Sequence, residues 1–427
     1  MSQRSESDGL TRRQFVKAGV TAAAVAGLSA AAKAEPPGEK KEAEKDAKKT
    51  ELIPTRVLGR TGEKISMLCF GAGMPEPRMF NAMYAAGIRC CDTADCYGKH
   101  EQGLGEWIKD KGCRKEMCII TKDHPKTPDD FVTKLDDRLE KLQSDYVDLF
   151  FLHGMGEAEA NDKLTMKEMV EIPKLKEWGK AAEKMKKSGK AKFIGMSMHG
   201  DMDARLEMLK NSVAGGWIEA ILLMYDVQLV RENKEFNKAL DEAHKAGIGL
   251  ISMKQMRRLH ELKKNDGDQA AEAAKLLPKF KEMGLTPYQA VLQAVWTDER
   301  ITSICSAMQN MDVLKDNAEA ARTFKPLDKD KLGAVYELYR QFGTRYCTAC
   351  DGRCRRAAGT QTAFNKIARY LAYFEADGAR EHARRLFAAL TPEERSWGDA
   401  DLAAASQACK CRLDFAALLK RADEKLG

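Results

Sequence analysis

Three apolar segments that end on proton-binding side chains constrain the fold of this chain more than any other feature. The segments span residues 88–91, 118–121 and 147–152. They end on Asp92, Lys122 and His153. Short apolar runs separated by helical sequence are typical of buried parallel strands, and a parallel β/α barrel gathers the carboxyl ends of its strands at one mouth. We therefore predict that these three side chains face one another, with Tyr97 on the loop after the first segment.

Further strand-like segments bring the predicted total to that of a closed barrel. The predicted strands span residues 67–71, 88–93, 117–122, 147–153, 192–197, 220–225, 248–253 and 301–306. Amphipathic segments such as 128–142 and 174–188 lie between them, and a glycine-containing hairpin is predicted over 56–65. The sequence thus predicts an α/β fold, a (β/α)8 TIM barrel over residues 52–326, with a small helical extension over 327–427.

The polar strand ends also resemble a known family. Asp92-Thr93-Ala94, Tyr97-Gly98, Thr121-Lys122 and the run 148–153 resemble the catalytic tetrad of the aldo/keto reductase superfamily in type, order and approximate spacing. The resemblance extends from about residue 56 to about residue 324. It implies an oxidoreductase that reduces a small carbonyl substrate to an alcohol, or performs the reverse reaction, and a barrel whose bottom is closed by the hairpin.

The four tetrad residues have distinct expected roles. Carbonyl reduction requires a hydride on carbon and a proton on oxygen. Tyr97 is the expected acid, but the pKa of a free tyrosine is near ~10, so a nearby cation is needed to favour its ionised form. We expect Lys122 to lower the pKa of Tyr97, Asp92 to hold and balance Lys122, and His153 to orient the carbonyl or help to transfer the proton.

The resemblance further implies that NADP(H) or NAD(H) lies across the barrel mouth. The residues at the corresponding positions are Ser197, His199, Met253, Lys254, Ser306 and Asn317. This chain has Ser-Met after the fifth strand where Ser-Asn is commoner, and it lacks a glycine and the expected basic residue after the eighth strand. The choice between the two nucleotides, and nucleotide binding itself, stays open at this point.

The twelve cysteines form two groups. Seven lie in or beside predicted strands, where cysteine acts as a small apolar residue: Cys69, Cys90, Cys91, Cys96, Cys113, Cys118 and Cys305. The second group lies in the extension and consists of Cys347, Cys350, Cys354, Cys409 and Cys411. Clustered thiolates suit a soft metal centre. Some aldo/keto reductases carry a ferredoxin-like extension, which implies a 4Fe-4S cluster on Cys347, Cys350, Cys354 and Cys409. Structural zinc and disulfides are the alternatives.

The N-terminus resembles a twin-arginine export signal. Residues 11–17 contain Arg12-Arg13, an apolar run follows over 18–32, and Ala32-Lys33-Ala34 matches a cleavage site. The resemblance implies the twin-arginine export machinery as a partner and a periplasmic location. The apolar run is too short for a stable membrane span, and residues 35–51 form a predicted disordered charged linker.

Residues 1–34 carry five basic and two acidic side chains, so the remaining chain has a net charge of +4, which does not favour nucleic-acid binding.

A second functional hypothesis follows from the same features. Free NAD(P)H is not expected outside the cytoplasm, and the predicted nucleotide loop is atypical. The barrel could therefore belong to an electron-transfer or ligand-binding protein that passes electrons to a redox partner. The long polar connection over 155–171 is predicted to be a surface loop, and a flap over the barrel mouth is the alternative. The loops at the mouth determine substrate choice.

Overall fold

The computed structural model describes residues 51–71, 76–156, 164–256, 275–342, 347, 350, 352–375, 380–411 and 413–427. The predicted export signal and nearly all of the predicted linker therefore lie outside the described residues. Within the described ranges, no helix combines the length and the apolar character that crossing a membrane requires.

Among the described residues, ten strands form a closed parallel barrel and a separate hairpin. Their bounds are β1 Thr55–Val57, β2 Lys64–Ser66, β3 Leu68–Gly71, β4 Cys90–Asp92, β5 Cys118–Asp123, β6 Val147–Met155, β7 Ala191–Met198, β8 Ala220–Met224, β9 Gly249–Met253 and β10 Ile301–Ala307. The barrel order runs from β3 to β10, and β10 closes onto β3. The predicted (β/α)8 barrel is confirmed, because each of the eight predicted strands matches one barrel strand.

Helices cover the barrel and continue beyond it. Those around the barrel are α1 Pro77–Ala85, α2 His100–Lys111, α3 Pro128–Leu142, α4 Met166–Glu171, α5 Lys176–Lys187, α6 Met202–Gly215, α7 Val227–Glu232, α8 Lys234–Lys245, α9 Leu277–Glu282, α10 Pro287–Thr297 and α11 Met311–Arg322. Those that follow are α12 Lys329–Phe342, α13 Arg353–Ala357, α14 Phe364–Glu375, α15 Arg380–Ala388, α16 Pro392–Arg395, α17 Leu402–Ala408 and α18 Phe415–Leu426.

The local sequence explains where α3 begins and which face it buries. The side chain of Thr127 accepts a hydrogen bond from the backbone N–H of Asp130, and Pro128 occupies the first helical position, where a missing N–H costs nothing. Phe131 and Leu135 recur at helical spacing and are fully buried. The helix has the predicted bounds of 128–142 because capping and periodicity specify the same segment.

The β1–β2 hairpin closes the amino end of the barrel, as the resemblance implied. Leu58 and Ile65 are buried in the cluster of side chains that fills the barrel interior. The backbone N–H of Arg60 donates to the carbonyl of Gly247, immediately before β9. Gly59 has a φ of 49°, and a Cβ there would lie 2.3 Å from that carbonyl oxygen, so this contact requires glycine.

Four strand cysteines lie in one row across the barrel wall. Cys305 pairs in register with Cys69, Cys69 with Cys90, and Cys90 with Cys118. All four belong to the interior cluster or pack against it. Their thiols therefore fill space between neighbouring strands, as small apolar residues are expected to do.

The prediction that residues 155–171 form a loop is wrong at both ends of the segment that the structure describes. Strand β6 continues to Met155, and residues 166–171 form α4. Thr165 and Glu168 form a capping box, in which each side chain bonds to the backbone N–H of the other, so the first turn of α4 is stabilised locally. Residues 157–163, in the middle of the predicted loop, lie outside the described residues.

The helices of the extension have an apolar core of their own. Phe364 of α14 stacks on Phe415 of α18 with ring centroids 4.5 Å apart, and Leu386 of α15 is buried in the same cluster. An ion pair joins this unit to the barrel, with Lys410 Nζ lying 3.3 Å from a carboxylate oxygen of Glu232. The predicted helical extension is thus present as helices beyond the barrel.

Candidate active site

A buried ion pair lies at the centre of the barrel mouth. Lys122 Nζ lies 2.5 Å from Asp92 Oδ1 and donates a second hydrogen bond, of 2.7 Å, to the carbonyl oxygen of Thr93. The Lys122 side chain is only 1% exposed. Burial opposes its charge, yet the Asp92 carboxylate, by its charge and its hydrogen bond, holds the pKa of Lys122 above its ordinary value. Lys122 is therefore a cation at neutral pH, placed by the ends of β4 and β5.

Tyr97 lies beside this cation. Its ring centroid is 5.0 Å from Lys122 Nζ, and its backbone N–H donates to the carbonyl of Ala94, which turns the loop after β4 back over the mouth. Burial, with a smaller effect of Asp92, raises the pKa of Tyr97 above its ordinary value, although Lys122 acts in the opposite direction. The expectation of a lowered pKa is therefore wrong in direction. Desolvation outweighs a cation that Asp92 already balances.

His153 completes the predicted group of four. Its ring meets the Tyr97 ring edge-on with centroids 5.8 Å apart. Burial lowers the pKa of His153 to about 3, so the imidazole is neutral at physiological pH. Its Nδ1 faces Asp95 Oδ1 at 3.4 Å and the Cys96 thiol at 3.7 Å. The structure thus brings together all four side chains that were selected from the sequence.

Asp95 and His124 also belong to this site, although the sequence reasoning did not select them. His124 Nδ1 lies 3.1 Å from Asp95 Oδ2, and the His124 and His153 rings are 4.4 Å apart. Despite burial, hydrogen bonds from both histidines hold the pKa of Asp95 well below its usual range. Their positions in the sequence indicate that they lie near the tetrad, since Asp95 is in the same loop as Tyr97 and His124 follows Lys122 by two residues.

A second buried network holds the end of β5 in place. Glu101 accepts a 2.5 Å hydrogen bond from Thr121 Oγ1 and a 2.9 Å bond from Arg138. Arg138 Nε also lies 3.1 Å from a carboxylate oxygen of Asp123. Thr121 and Asp123 flank Lys122 on β5, so the hydrogen bond to Glu101 of α2 and the ion pair with Arg138 of α3 fix the direction in which Lys122 projects.

The residues predicted to hold a nucleotide lie at the carboxyl ends of β7, β9 and β10 or in the segments that follow. Asn317 Nδ2 donates a 3.0 Å hydrogen bond to Ser306 Oγ, and Lys254 Nζ lies 3.2 Å from His199 Nδ1. Ser197 Oγ accepts a 2.9 Å bond from the backbone N–H of Gly154.

Met253 is buried in the interior cluster instead of lying over the mouth surface. Lys254, the residue after it, has a φ of 60°, a left-handed conformation that is uncommon outside glycine. The chain therefore turns sharply after β9, and the ammonium group of Lys254 comes next to His199, which follows β7, two strands away in the barrel.

The cysteines of the extension converge on the apolar core of that unit. Cys347, Cys354 and Cys409 pack against it, and Cys411 is buried within it. The neighbouring Cys411 thiol, together with burial, raises the pKa of Cys409, and Cys347 acts in the same direction. Cys350 instead packs against the barrel core. Cysteines that are distant in sequence therefore contact one apolar cluster.

Comparison with known proteins identifies the family. The sequence model of the Aldo/keto reductase family matches residues 76–340, which is more than half of the chain and contains all four residues of the tetrad. This chain belongs to the aldo/keto reductase family. As a member with relatives named as oxidoreductases, it is an oxidoreductase. The family match ends before α13, so the helices from α13 to α18 lie beyond it.

Individual relatives cover different parts of this aldo/keto reductase. The uncharacterised oxidoreductase YrpG of Bacillus subtilis is 24% identical over 329 residues, which cover 66% of this chain and 94% of YrpG. Glyoxal reductase of Bacillus subtilis is 34% identical over 114 residues, which cover 26% of this chain and 36% of that enzyme. The holo form of an aldo-keto reductase from Bacillus halodurans superposes with a TM-score of 0.52 at 20% identity, over 67% of this chain and 96% of that chain.

Proposed function

We propose that this aldo/keto reductase interconverts a small carbonyl compound and its alcohol with NADP(H) or NAD(H). The observation that carries the proposal is the buried Lys122–Asp92 ion pair beneath the ring of Tyr97 at the barrel mouth. A lysine costs free energy to bury, and a structural role would be served equally well by an apolar pair. The cost is explained if the cation stabilises negative charge that develops on Tyr97.

The proton transfer follows from these positions. A bound nicotinamide nucleotide supplies the hydride. The hydroxyl of Tyr97 is protonated at neutral pH and can donate to the carbonyl oxygen, and Lys122 opposes the effect of burial, which by itself would weaken this acid. Lys122 stabilises the tyrosinate that is left, and Asp92 with the Thr93 carbonyl keeps Lys122 from moving away. His153 lies against Tyr97 and borders the position of the substrate oxygen.

The donor set at the mouth fits a nicotinamide nucleotide. Hydroxyl and amide groups of Ser197, Ser306 and Asn317 suit a carboxamide and ribose hydroxyls. Lys254 and His199 add a cation and an imidazole, which suit a phosphate. The relative from Schizosaccharomyces pombe whose name includes NADP(+) is 30% identical over 168 residues, 34% of this chain and 45% of that protein. These features support a nucleotide site formed by the ends of β7, β9 and β10.

Replacement of Tyr97 by Phe tests the proposal. The full-length protein is assayed for aldehyde-dependent oxidation of NADPH and of NADH, with a panel of small aldehydes that includes glyoxal. We expect Tyr97→Phe to lower kcat by about 10²–10⁴-fold, because general acid catalysis contributes that much. Tyr146→Phe is the matched control, since Tyr146 precedes β6 at the opposite end of the barrel. Equal activity of Tyr97→Phe and the control would exclude Tyr97 as the acid.

We also propose that the protein is exported folded to the periplasm by the twin-arginine route and holds a 4Fe-4S cluster in its extension. The motif around Arg12-Arg13 supports export. The convergence of Cys347, Cys354, Cys409 and Cys411 on one apolar core supports a shared thiolate site, with Cys350 as the further predicted ligand. Twin-arginine export carries folded proteins, so a cluster inserted in the cytoplasm would survive transport.

Iron, sulfide and zinc analysis of anaerobically purified protein tests the cluster, and the nucleotide is extracted from the same sample. Iron with an equal amount of sulfide supports the cluster, whereas stoichiometric zinc or a disulfide by mass spectrometry would overturn it. The second candidate function, electron transfer or ligand binding without nicotinamide turnover, has the sequence after β10 in its favour, which lacks the glycine and the basic residue expected for nucleotide binding. A redox-active cluster with no affinity for either nucleotide would support that candidate.

A further inference from the structure

Asp95, Cys96 and His153 form a group of potential metal ligands beside the tetrad. Their ligand atoms all lie within 4.8 Å of one another. The His153 Nδ1 to Asp95 Oδ1 distance is 3.4 Å, longer than the usual 2.7–3.2 Å of an N–H···O hydrogen bond. The Cys96 sulfur lies 3.7 Å from the same nitrogen. The Asp95 contact is therefore a long hydrogen bond, the sulfur contact is a weak one, and all three groups face one another.

The same separations are those that a tetrahedral metal ion imposes on its ligands. Bond lengths of about 2.0–2.1 Å to nitrogen, about 2.0–2.2 Å to oxygen and about 2.3 Å to sulfur place a nitrogen and an oxygen ligand about 3.4 Å apart, and a nitrogen and a sulfur ligand about 3.6 Å apart. The observed distances are 3.4 Å and 3.7 Å. His153 Nδ1 thus lies at coordination separations from both other ligand atoms, which themselves lie within 4.8 Å of each other.

His124 provides the outer support that such a site requires. Its Nδ1 lies 3.1 Å from Asp95 Oδ2, the carboxylate oxygen that does not face His153. Metal-binding carboxylates are commonly held by a second residue in this way, which leaves one oxygen aimed at the ion. Cys96 is exposed, so an ion can reach the group from solvent.

We propose that Asp95, Cys96 and His153 bind a divalent transition-metal ion of the zinc class. A thiolate and an imidazole favour zinc over magnesium or calcium, which prefer oxygen ligands. Three protein ligands leave the fourth tetrahedral position open to water. The site depends only on these side chains and is separate from the cysteines of the extension.

The ion would change which ring nitrogen of His153 carries the proton, and therefore whether His153 can donate a hydrogen bond to the substrate. This consequence rests on the proposed carbonyl chemistry. Against the Asp95 carboxylate, which only accepts hydrogen bonds, the neutral imidazole carries its proton on Nδ1, and Nε2 has none to donate. A metal ion on Nδ1 places the proton on Nε2 instead. His153 then becomes a hydrogen-bond donor for a carbonyl oxygen.

Cobalt binding tests the site. The anaerobically purified full-length protein, dialysed to remove divalent ions, is titrated with Co²⁺, and the sulfur-to-cobalt charge-transfer band is followed in wild type, Cys96→Ser and the control Cys113→Ser. Cys113 is buried elsewhere in the barrel, and all three proteins retain the cysteines of the extension. We expect Cys96→Ser to lose one equivalent of bound cobalt and its thiolate band, and His124→Asn to weaken binding by about 10–100-fold. Equal stoichiometry and spectra in wild type and Cys96→Ser would overturn the site.

A zinc titration of aldehyde reduction tests the consequence for His153. We expect Zn²⁺ to raise kcat/KM in wild type and in Cys113→Ser, and to leave Cys96→Ser unchanged. Binding of cobalt without any stimulation by zinc would overturn the effect on His153. If the proposed reaction itself is wrong, no protein in the series reduces an aldehyde while the cobalt difference persists, so the two failures are distinguishable.

Discussion

The Lys122–Asp92 pair allows stability and catalysis to be separated in one set of variants. Lys122→Met leaves the Asp92 carboxylate buried without its partner, and breaking a buried pair from one side costs about 3–5 kcal/mol. Since domains are stable by only about 5–15 kcal/mol, urea unfolding should show a large loss. The double variant Asp92→Asn with Lys122→Met removes both charges and should recover to within about 1–2 kcal/mol of wild type.

Activity should not recover with stability. Lys122 lowers the pKa of Tyr97 against the effect of burial, and an adjacent opposite charge is commonly worth 1–3 pKa units. The double variant should therefore retain a kcat/KM for aldehyde reduction about 10–1000-fold below that of wild type. Wild-type kcat/KM in the stable double variant would refute the role of the Lys122 charge. Unchanged stability of Lys122→Met would refute the buried pair.

Three other perturbations test the hairpin, a buried histidine and the nucleotide site. Gly59→Ala should lower the free energy of unfolding by roughly 2–4 kcal/mol in a urea titration, because the added Cβ would lie 2.3 Å from a backbone oxygen. Gly62→Ala is the control, since open space surrounds this position, and it should cost about 1 kcal/mol. Burial lowers the pKa of His100 from 6.5 to about 4, so His100 should contribute a loss of stability of roughly 2 kcal/mol as the pH falls from 6.5 to about 5. His100→Asn should remove this share of the slope and leave the share that His153 contributes. If the hydrogen-bonded pair of Asn317 and Ser306 contacts the nucleotide, Asn317→Ala should raise the Kd for NADPH about tenfold or more, measured by fluorescence titration. An unchanged Kd would place the nucleotide elsewhere.

The fold was predictable because its signals are local and repeated. Each apolar run is a buried strand of a parallel sheet, so hydrophobicity alone marks it. Helix α3 has the predicted bounds because Thr127 and Pro128 specify its start. The loop prediction over 155–171 is wrong because it rests on polar composition alone. Thr165 and Glu168 form a capping box, which is visible in the sequence and indicates the start of a helix.

The membership of the site was predictable only in part. Strand ends of a barrel meet at one mouth, so Asp92, Lys122 and His153 could be placed together from sequence order. Asp95 and His124 could not be selected in this way, because their pairing depends on how the loops after β4 and β5 bend toward each other.

The direction of the Tyr97 pKa shift was decided by tertiary structure alone. Sequence shows a lysine within reach, and a cation by itself lowers the pKa of a tyrosine. Only the folded barrel shows that Tyr97 is desolvated and that Asp92 balances the lysine at 2.5 Å, so burial dominates. Sequence by itself therefore determined the barrel, the family resemblance and the four side chains at the mouth. The electrostatic environment of those side chains, and the coordination separations of His153 from Asp95 and Cys96, came from packing between segments that are distant in the chain.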